Sequence, residues 1–280
     1  MPFFGVLPER SHLFTPQPRA HIGVNDAHAW RLNPRHHQVY DKLGLALCQG
    51  LVAAPCGVSP TDCGLAGDTP LMVKPITNLA GMSLGARVLA ARDIEPWPGH
   101  FWSPLLEGPQ FSTDALLLDG TVVWSGHTHA SEERDAQRPI HWSLGVEAPD
   151  AERCLHHLAG HLLRGYTGLC NLETIGGKAI EMHLRGSNGF LDFYPEGFVQ
   201  AWVNLVDDRT WPGLNPLGEA HVLSLFGRGT LPTAAIEPWL QRGVSVQVDG
   251  QTSDRIAIIR CSDGTLGRDA LESLRAAVIR

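Results

Sequence analysis

Residues 169–186 read LCNLETIGGKAIEMHLRG, two short runs of alternating polarity around a pair of glycines. Cys170, Leu172, Ile180, Met182 and Leu184 are apolar and even-numbered, whereas Asn171, Glu173, Glu181, His183 and Arg185 are polar and odd-numbered. Side chains of a strand alternate between its faces, so this spacing predicts a β-hairpin with one oily and one charged side. Both oily sides reach one core only if odd residues pair with odd, which calls for an odd-length loop such as Gly176-Gly177-Lys178 rather than a two-residue turn. In that register Glu173 faces Glu181, and Asn171 faces His183. Carboxylates about 5 Å apart across a sheet repel, and a cation or a raised pKa is needed to hold them there. Carboxylate and amide oxygens suit Mg2+, which shares its shell with water and phosphate, and Arg185 on the same face is placed for a phosphate oxygen. The bland alternative is a sheet whose charged face simply lies in water.

The surrounding chain fits a mixed α+β protein. Its 280 residues accommodate one large or two small domains, and 43% hydrophobic residues suffice for a core. Thirty glycines and twenty prolines cut the chain into short elements and argue against a mainly helical bundle. A net charge of −7 gives no bulk electrostatic basis for binding nucleic acid. No basic leader precedes an apolar run and no window approaches 18 apolar residues, so the expectation is a cytoplasmic protein without a membrane partner. The six cysteines show no C-x-x-C spacing and read as reduced thiols.

Residues 1–32, rich in proline and polar groups, read as an irregular N-terminal arm. Asn33-Pro34 followed by Val39, Leu43 and Leu47 predicts one amphipathic helix over 34–49. Strands are expected at 71–76, after the next glycine loop, and over 100–108, and Asp119-Gly120 between apolar runs marks a hairpin. Residues 126–149 read as a polar, mobile loop, and Asp150 as the cap of a helix reaching about Leu163, with Leu155, Leu158 and Leu162 at helical spacing. Strands near 220–227, 243–249 and 255–261 and a helix over 266–279 form a C-terminal unit.

The order of these motifs resembles the ATP-grasp superfamily of ATP-dependent carboxylate-amine/thiol ligases. The resemblance rests on Asp41-Lys42 on a helix, Val73-Lys74-Pro75 with its glycine loop, LLEGPQFSTDALLLDG (105–120) and NLETIGGKAIEMHLR (171–185). It spans about residues 33–190 and implies an α+β fold with two antiparallel-sheet subdomains holding ATP between them. The domains it implies are an arm over 1–32, a nucleotide-binding core over 33–195 and a small β-rich unit over 200–280. Lys42 and Lys74 correspond to lysines that reach ATP phosphates, and the loop with Gly81, Ser83 and Gly85 to the flap over them. Trp102, Ser103 and Leu105 fall in the hinge that binds adenine, and Gln110 where many members carry an acid on the ribose. Glu173 and Glu181 correspond to the metal-binding acids, with Asn171 and His183 beside them, and Lys74 and Arg185 to charges that stabilise the transferring phosphoryl group.

What the resemblance implies is a ligase using ATP with Mg2+ or Mn2+. A small-molecule or peptide carboxylate becomes an acyl phosphate and passes to an amine or thiol acceptor, while ADP and phosphate leave. The alternatives are a kinase built on the same cleft and a non-catalytic nucleotide-binding partner protein. Three departures stand out. His183 replaces the usual asparagine, and imidazole is a poor Mg2+ ligand. Little room for a helix remains between Val88 and Phe101. Residues 1–32 are too short for a separate N-terminal domain, so the C-terminal unit, a second copy or a partner chain is expected to complete the acceptor site.

Other pairs carry less. His157 and His161 lie four apart but lack the glutamate of H-E-x-x-H, and an exposed helix face is the simpler reading. His127 and His129 read as solvated loop residues, and Ser125-Gly126 lacks the flanks of a nucleophile elbow.

Overall fold

The computed structural model describes residues 2–80, 83–136, 138–187, 189–249 and 254–279. In chain order, β1 (Phe3–Phe4) and β2 (Ile22–Gly23) precede helices α1 (Asp26–Leu32) and α2 (Lys42–Cys48). Strands β3 (Ala54–Pro55), β4 (Pro70–Pro75), β5 (Arg87–Ala90), β6 (His100–Pro104), β7 (Gln110–Leu118) and β8 (Thr121–Ala130) follow. Next come β9 (Arg134–Asp135), β10 (Arg138–Pro139), β11 (His141–Leu144), α3 (Pro149–Leu162), β12 (Gly168–Ile175) and β13 (Lys178–His183). The chain continues through α4 (Phe198–Asp208), β14 (Ala220–Phe226), α5 (Thr233–Leu240), β15 (Ser245–Val248), β16 (Arg255–Cys261) and α6 (Gly264–Ala276). Apart from the short parallel pair β1–β2, these are helices and antiparallel sheets, the expected α+β class. The chain divides into two compact units, each assembled from several stretches: 1–125, 148–186 and 197–214 in the first, 126–147, 187–196 and 215–280 in the second. No described helix is long and apolar enough to cross a membrane.

The first unit contains an antiparallel sheet in the order β3-β6-β4-β5 and a ladder in the order β13-β12-β7-β8. Leu71, Val73 and Trp102 are buried with Cys56 and Ala91 on the small sheet. Helix α3 buries Leu155, Leu158 and Ala159 in one core with Cys170, Leu172, Met182 and Leu184 of the hairpin. Fully burying a leucine stabilises by about 1.5–3 kcal/mol, so the even-numbered face of the hairpin is a main anchor of this unit. In the second unit β8 ends, and the ladder runs β8-β11-β14-β16-β15. Leu223, Leu225, Ile259, Leu271 and Leu274 are buried together between its strands and α6.

Glu173 pairs with Glu181 and Asn171 with His183, as the alternation requires. The loop is different from the one expected. Ile175 pairs with Lys178, so the turn has only Gly176 and Gly177, at φ +55° and +74°. Glycine is required at the tip, where a Cβ on Gly176 would lie 2.3 Å from the Glu107 carbonyl oxygen. Parity is restored by a β-bulge: Thr174 pairs with Ala179 and Glu173 with Glu181, leaving Ile180 as the extra residue. In consequence Ala179, not Ile180, joins the buried cluster with Leu172 and Met182.

Several local expectations are corrected. Residues 1–32 are not an irregular arm, since Phe3, Phe14, Ile22, Val24 and Ala29 are buried and α1 is a regular helix capped by Asn25. The single helix over 34–49 is a 3-10 helix (Pro34–Tyr40) and then α2, because the Asp41 side chain accepts the Gly44 N–H at 2.9 Å and starts a new helix. Leu47 is 52% exposed, whereas Tyr40 and Leu45 are buried. The supposed loop 126–149 contains the end of β8 together with β9, β10 and β11, because His127 and His129 sit on a strand that alternates buried and half-buried positions. Asp150 lies inside the first turn of α3, with Pro149 at its start. The strand expected over 100–108 stops at Pro104, and position 200 falls inside α4, a helix of the first unit.

Candidate functional site

The charged face of the β12–β13 hairpin is met by cations from two other elements of the first unit. Lys42 is the first residue of α2, where its N–H donates to the Ile76 carbonyl at 2.9 Å, and its buried ammonium is bonded to Glu181 Oε2. Lys74 on β4 donates from Nζ to the Ile180 carbonyl at 3.0 Å, so the bulged residue provides the acceptor. Across the strand, Gln110 Nε2 donates to Glu173 Oε2 at 3.1 Å. Asn171 donates from Nδ2 to Ser112 Oγ at 2.8 Å and Asp114 Oδ1 at 3.0 Å. It anchors β12 to β7.

A third contact comes from the N-terminal residues. Asp26 opens α1 and is 5% exposed. Its Oδ1 lies 2.9 Å from His183 Nδ1, and its Oδ2 accepts from Arg185 Nε at 3.2 Å and Nη2 at 3.0 Å. A carboxylate can only accept, so the Nδ1 of His183 carries a proton. The other ring nitrogen, Nε2, is buried, makes no hydrogen bond and lies 3.5 Å from Glu181 Oε1.

These contacts separate the two glutamates electrically. Burial, and then the charge of Glu181, push the Glu173 carboxyl up to about 7. Burial acts on Glu181 in the same direction, but Lys42 and His183 outweigh it and hold that carboxyl well below the usual range. Burial and the neighbouring Lys42 bring Lys74 down to about 8. Asp26 is raised by burial yet ends below its ordinary value because Arg185 and His183 favour its charge. Burial and Arg185 disfavour the His183 imidazolium, but Asp26 and Glu181 more than compensate and its pKa is raised. One carboxylate is thus held toward its charged form and its neighbour is poised near neutral pH.

The second unit has its own histidines. Cross-strand pairing aligns His129, Ser143 and His221 in one row, and His141 Nε2 lies 3.0 Å from His221 Nδ1. Burial, with His221 and Arg268, lowers His141 to about 4. In the first unit, His157 and His161 are exposed on α3, their rings 4.6 Å apart. Among the described residues no three His, Cys, Asp or Glu side chains form a ready-made metal cage.

No protein-family model matches the chain, and no curated protein matches it. Solved structures do. A carboxyaminoimidazole ribonucleotide synthase from Aspergillus clavatus, complexed with ATP, is similar with a TM-score of 0.63 at 13% identity, over 91% of this chain and 77% of that one. The N5-carboxyaminoimidazole ribonucleotide synthetase of Thermus thermophilus gives 0.62 at 15% identity, covering 91% and 79%. An L-amino acid ligase from Bacillus licheniformis gives 0.59 at 13%, covering 90% and 73%. The chain has the ATP-grasp fold.

Within the ATP-grasp fold, the residues that the sequence resemblance singled out fall into two groups. Lys42, Lys74, Gln110, Glu173, Glu181, His183 and Arg185 are brought together, with Asn171 beneath them. Gln110 meets Glu173 directly. The hinge residues stand elsewhere, Trp102 and Ser103 on β6 and Leu105 just after it. Trp102 pairs with Ala54 on one side and Val73 on the other, and its indole donates to the Val58 carbonyl at 2.8 Å. Ser103 pairs with Met72, beyond the last pairing with β3, and Leu105 is 39% exposed. Ser83 and Gly85 are exposed at φ +52° and +78°, and Gly81 lies outside the described residues. Asp26 was not anticipated, although Asn25-Asp26 is a cap followed by an acid in the first turn of a helix. The surrounding prolines and polar residues concealed it.

Proposed function

We propose that this protein is an ATP-dependent ligase that activates a carboxylate as an acyl phosphate and transfers the acyl group to an amine or thiol. The observation that carries the reading is the convergence of Lys42 and Lys74 on the hairpin face that pairs Glu173 with Glu181. A half-buried site with two lysines, an arginine and two acids matches what a polyphosphate and a divalent cation need together. The ATP-grasp fold and the ATP complex and ligase named among its structural neighbours point the same way.

Glu173 and Glu181 would hold Mg2+ or Mn2+, with water and phosphate completing the shell; when bound, the ion neutralises phosphate charge. The donor set fits, because acidic oxygens held side by side on a half-buried face repel one another and a cation relieves it. Lys74 supplies a point charge for the phosphates, its ammonium held by the Ile180 carbonyl. Lys42 shields Glu181 and lies at the same face. Arg185, held in a fixed orientation by Asp26, faces the migrating phosphoryl group. The substrate carboxylate attacks the γ-phosphorus and ADP leaves; the amine or thiol acceptor then attacks the acyl carbon and phosphate leaves. No side chain has to become covalently bound, and catalysis is positioning and electrostatics.

The test is an ADP-release screen over carboxylic acids with pooled amino acids, followed by mass spectrometry. A product heavier than the acid by the acceptor minus water supports ligation. A phosphorylated product that is never transferred contradicts it.

A further inference from the structure

We propose that His183, oriented by Asp26, makes this cation site select a first-row transition-metal ion over Mg2+. The inference rests on the nucleotide-site reading above. Its starting point is an unpartnered nitrogen: His183 is 1% exposed, and Nε2 has no hydrogen bond. Burying such a group without a partner costs about 1–3 kcal/mol. The other nitrogen is fixed, because Nδ1–H donates to Asp26 Oδ1 at 2.9 Å. With Nδ1 committed to Asp26, Nε2 is the ring nitrogen left to face an ion, and it is aimed at Glu181.

The distance has the size a shared ion requires. Nε2 and Glu181 Oε1 are 3.5 Å apart. Two ligands about 2.1–2.2 Å from one ion, at angles near 90–110°, stand about 3.0–3.6 Å apart. Glu181 Oε2 is engaged by Lys42, so Oε1 is the oxygen left to share, and Glu173 is the cross-strand neighbour. The arrangement of carboxylate, imidazole and ligand is the one by which proteins fix the tautomer and raise the basicity of a metal-binding histidine. Asp26 acts here as a positioning residue. Mg2+ prefers oxygen donors, whereas imidazole nitrogen favours first-row transition ions. An imidazole in the donor set thus changes which ion is preferred.

Mn2+ is the probe, since it is paramagnetic and accepts both oxygen and imidazole. Pulsed EPR of the full-length protein with Mn2+ and 15N-labelled ATP is expected to show 14N modulation of the imidazole type. His183→Asn should lose that modulation while still binding Mn2+ and ATP, and its preference for Mn2+ over Mg2+ should fall about 10- to 100-fold. Asp26→Asn should lower Mn2+ affinity about 10-fold and leave the imidazole signal present but weaker. Mn2+ and ATP bound to the wild-type protein without imidazole modulation would overturn the inference alone, whatever the variants do. No metal-dependent ATP binding would overturn it together with the reading on which it rests.

Discussion

His183 in the first unit and His141 in the second are both drawn out of water, and burial pushes both toward the neutral form, yet they end on opposite sides of the ordinary histidine value. His183 has a carboxylate on each side of its ring, Asp26 and Glu181, and its pKa is raised. His141 faces His221, with Arg268 and His129 nearby, and falls to about 4. The difference teaches that burial sets only the starting penalty, and that the sign of the result is decided by the charges that the fold brings alongside. In the first unit one of those charges, Asp26, comes from a segment 157 residues away in sequence.

The largest expected effect is on stability. Asp26→Ala leaves His183 and Arg185 buried without their carboxylate and should destabilise the protein by about 3–5 kcal/mol, the cost of stranding a buried charge. His221→Ala, which removes only a neutral imidazole contact, should cost about 1 kcal/mol. Urea unfolding of the two variants measures both, and equal losses would break the contrast.

A smaller effect sharpens the same comparison through pH. The raised pKa of His183 gives stability that is fully present below its unfolded value and is lost as pH rises through the folded value. The lowered pKa of His141 works the other way: stability is complete above about 6.5 and declines as pH falls toward about 4, because the unfolded chain takes up the proton first. NMR titration of the ring protons should place the His141 midpoint near 4 and that of His183 above the ordinary value. Asp26→Asn should lower the second and leave the first in place. Coincident midpoints would contradict the account.

The legible parts of the sequence were those with local periodicity. Alternation over 170–185 specified which faces meet and that Glu173 opposes Glu181, because a strand's period of two leaves no third choice. The same alternation did not reveal the bulge at Ile180. A two-residue glycine turn and an extra residue give the same parity as a three-residue loop, and only the close approach to Glu107 selects between them. Asp119-Gly120 announced its hairpin because both residues adopt the positive φ that such turns require. Asp26 was invisible, since its partners His183 and Arg185 are distant in sequence and the contact is purely tertiary. The strands beyond Gly126 were hidden for a related reason. Their histidines and serine resemble loop residues in composition, and pairing with β8 and β14 holds β11, a strand in which only Leu144 is buried.

The central claim is that Lys42, Lys74, Glu173 and Glu181 form a site for ATP with a divalent cation. Titration calorimetry of ATP into the folded protein, with Mg2+, with Mn2+ and with neither, tests it most directly. The account predicts binding that requires a metal ion and weakens at least 10-fold in Lys74→Ala, the size expected for losing one buried charge-assisted contact of about 1.5–3 kcal/mol. Folded protein that binds no ATP with either ion would contradict it.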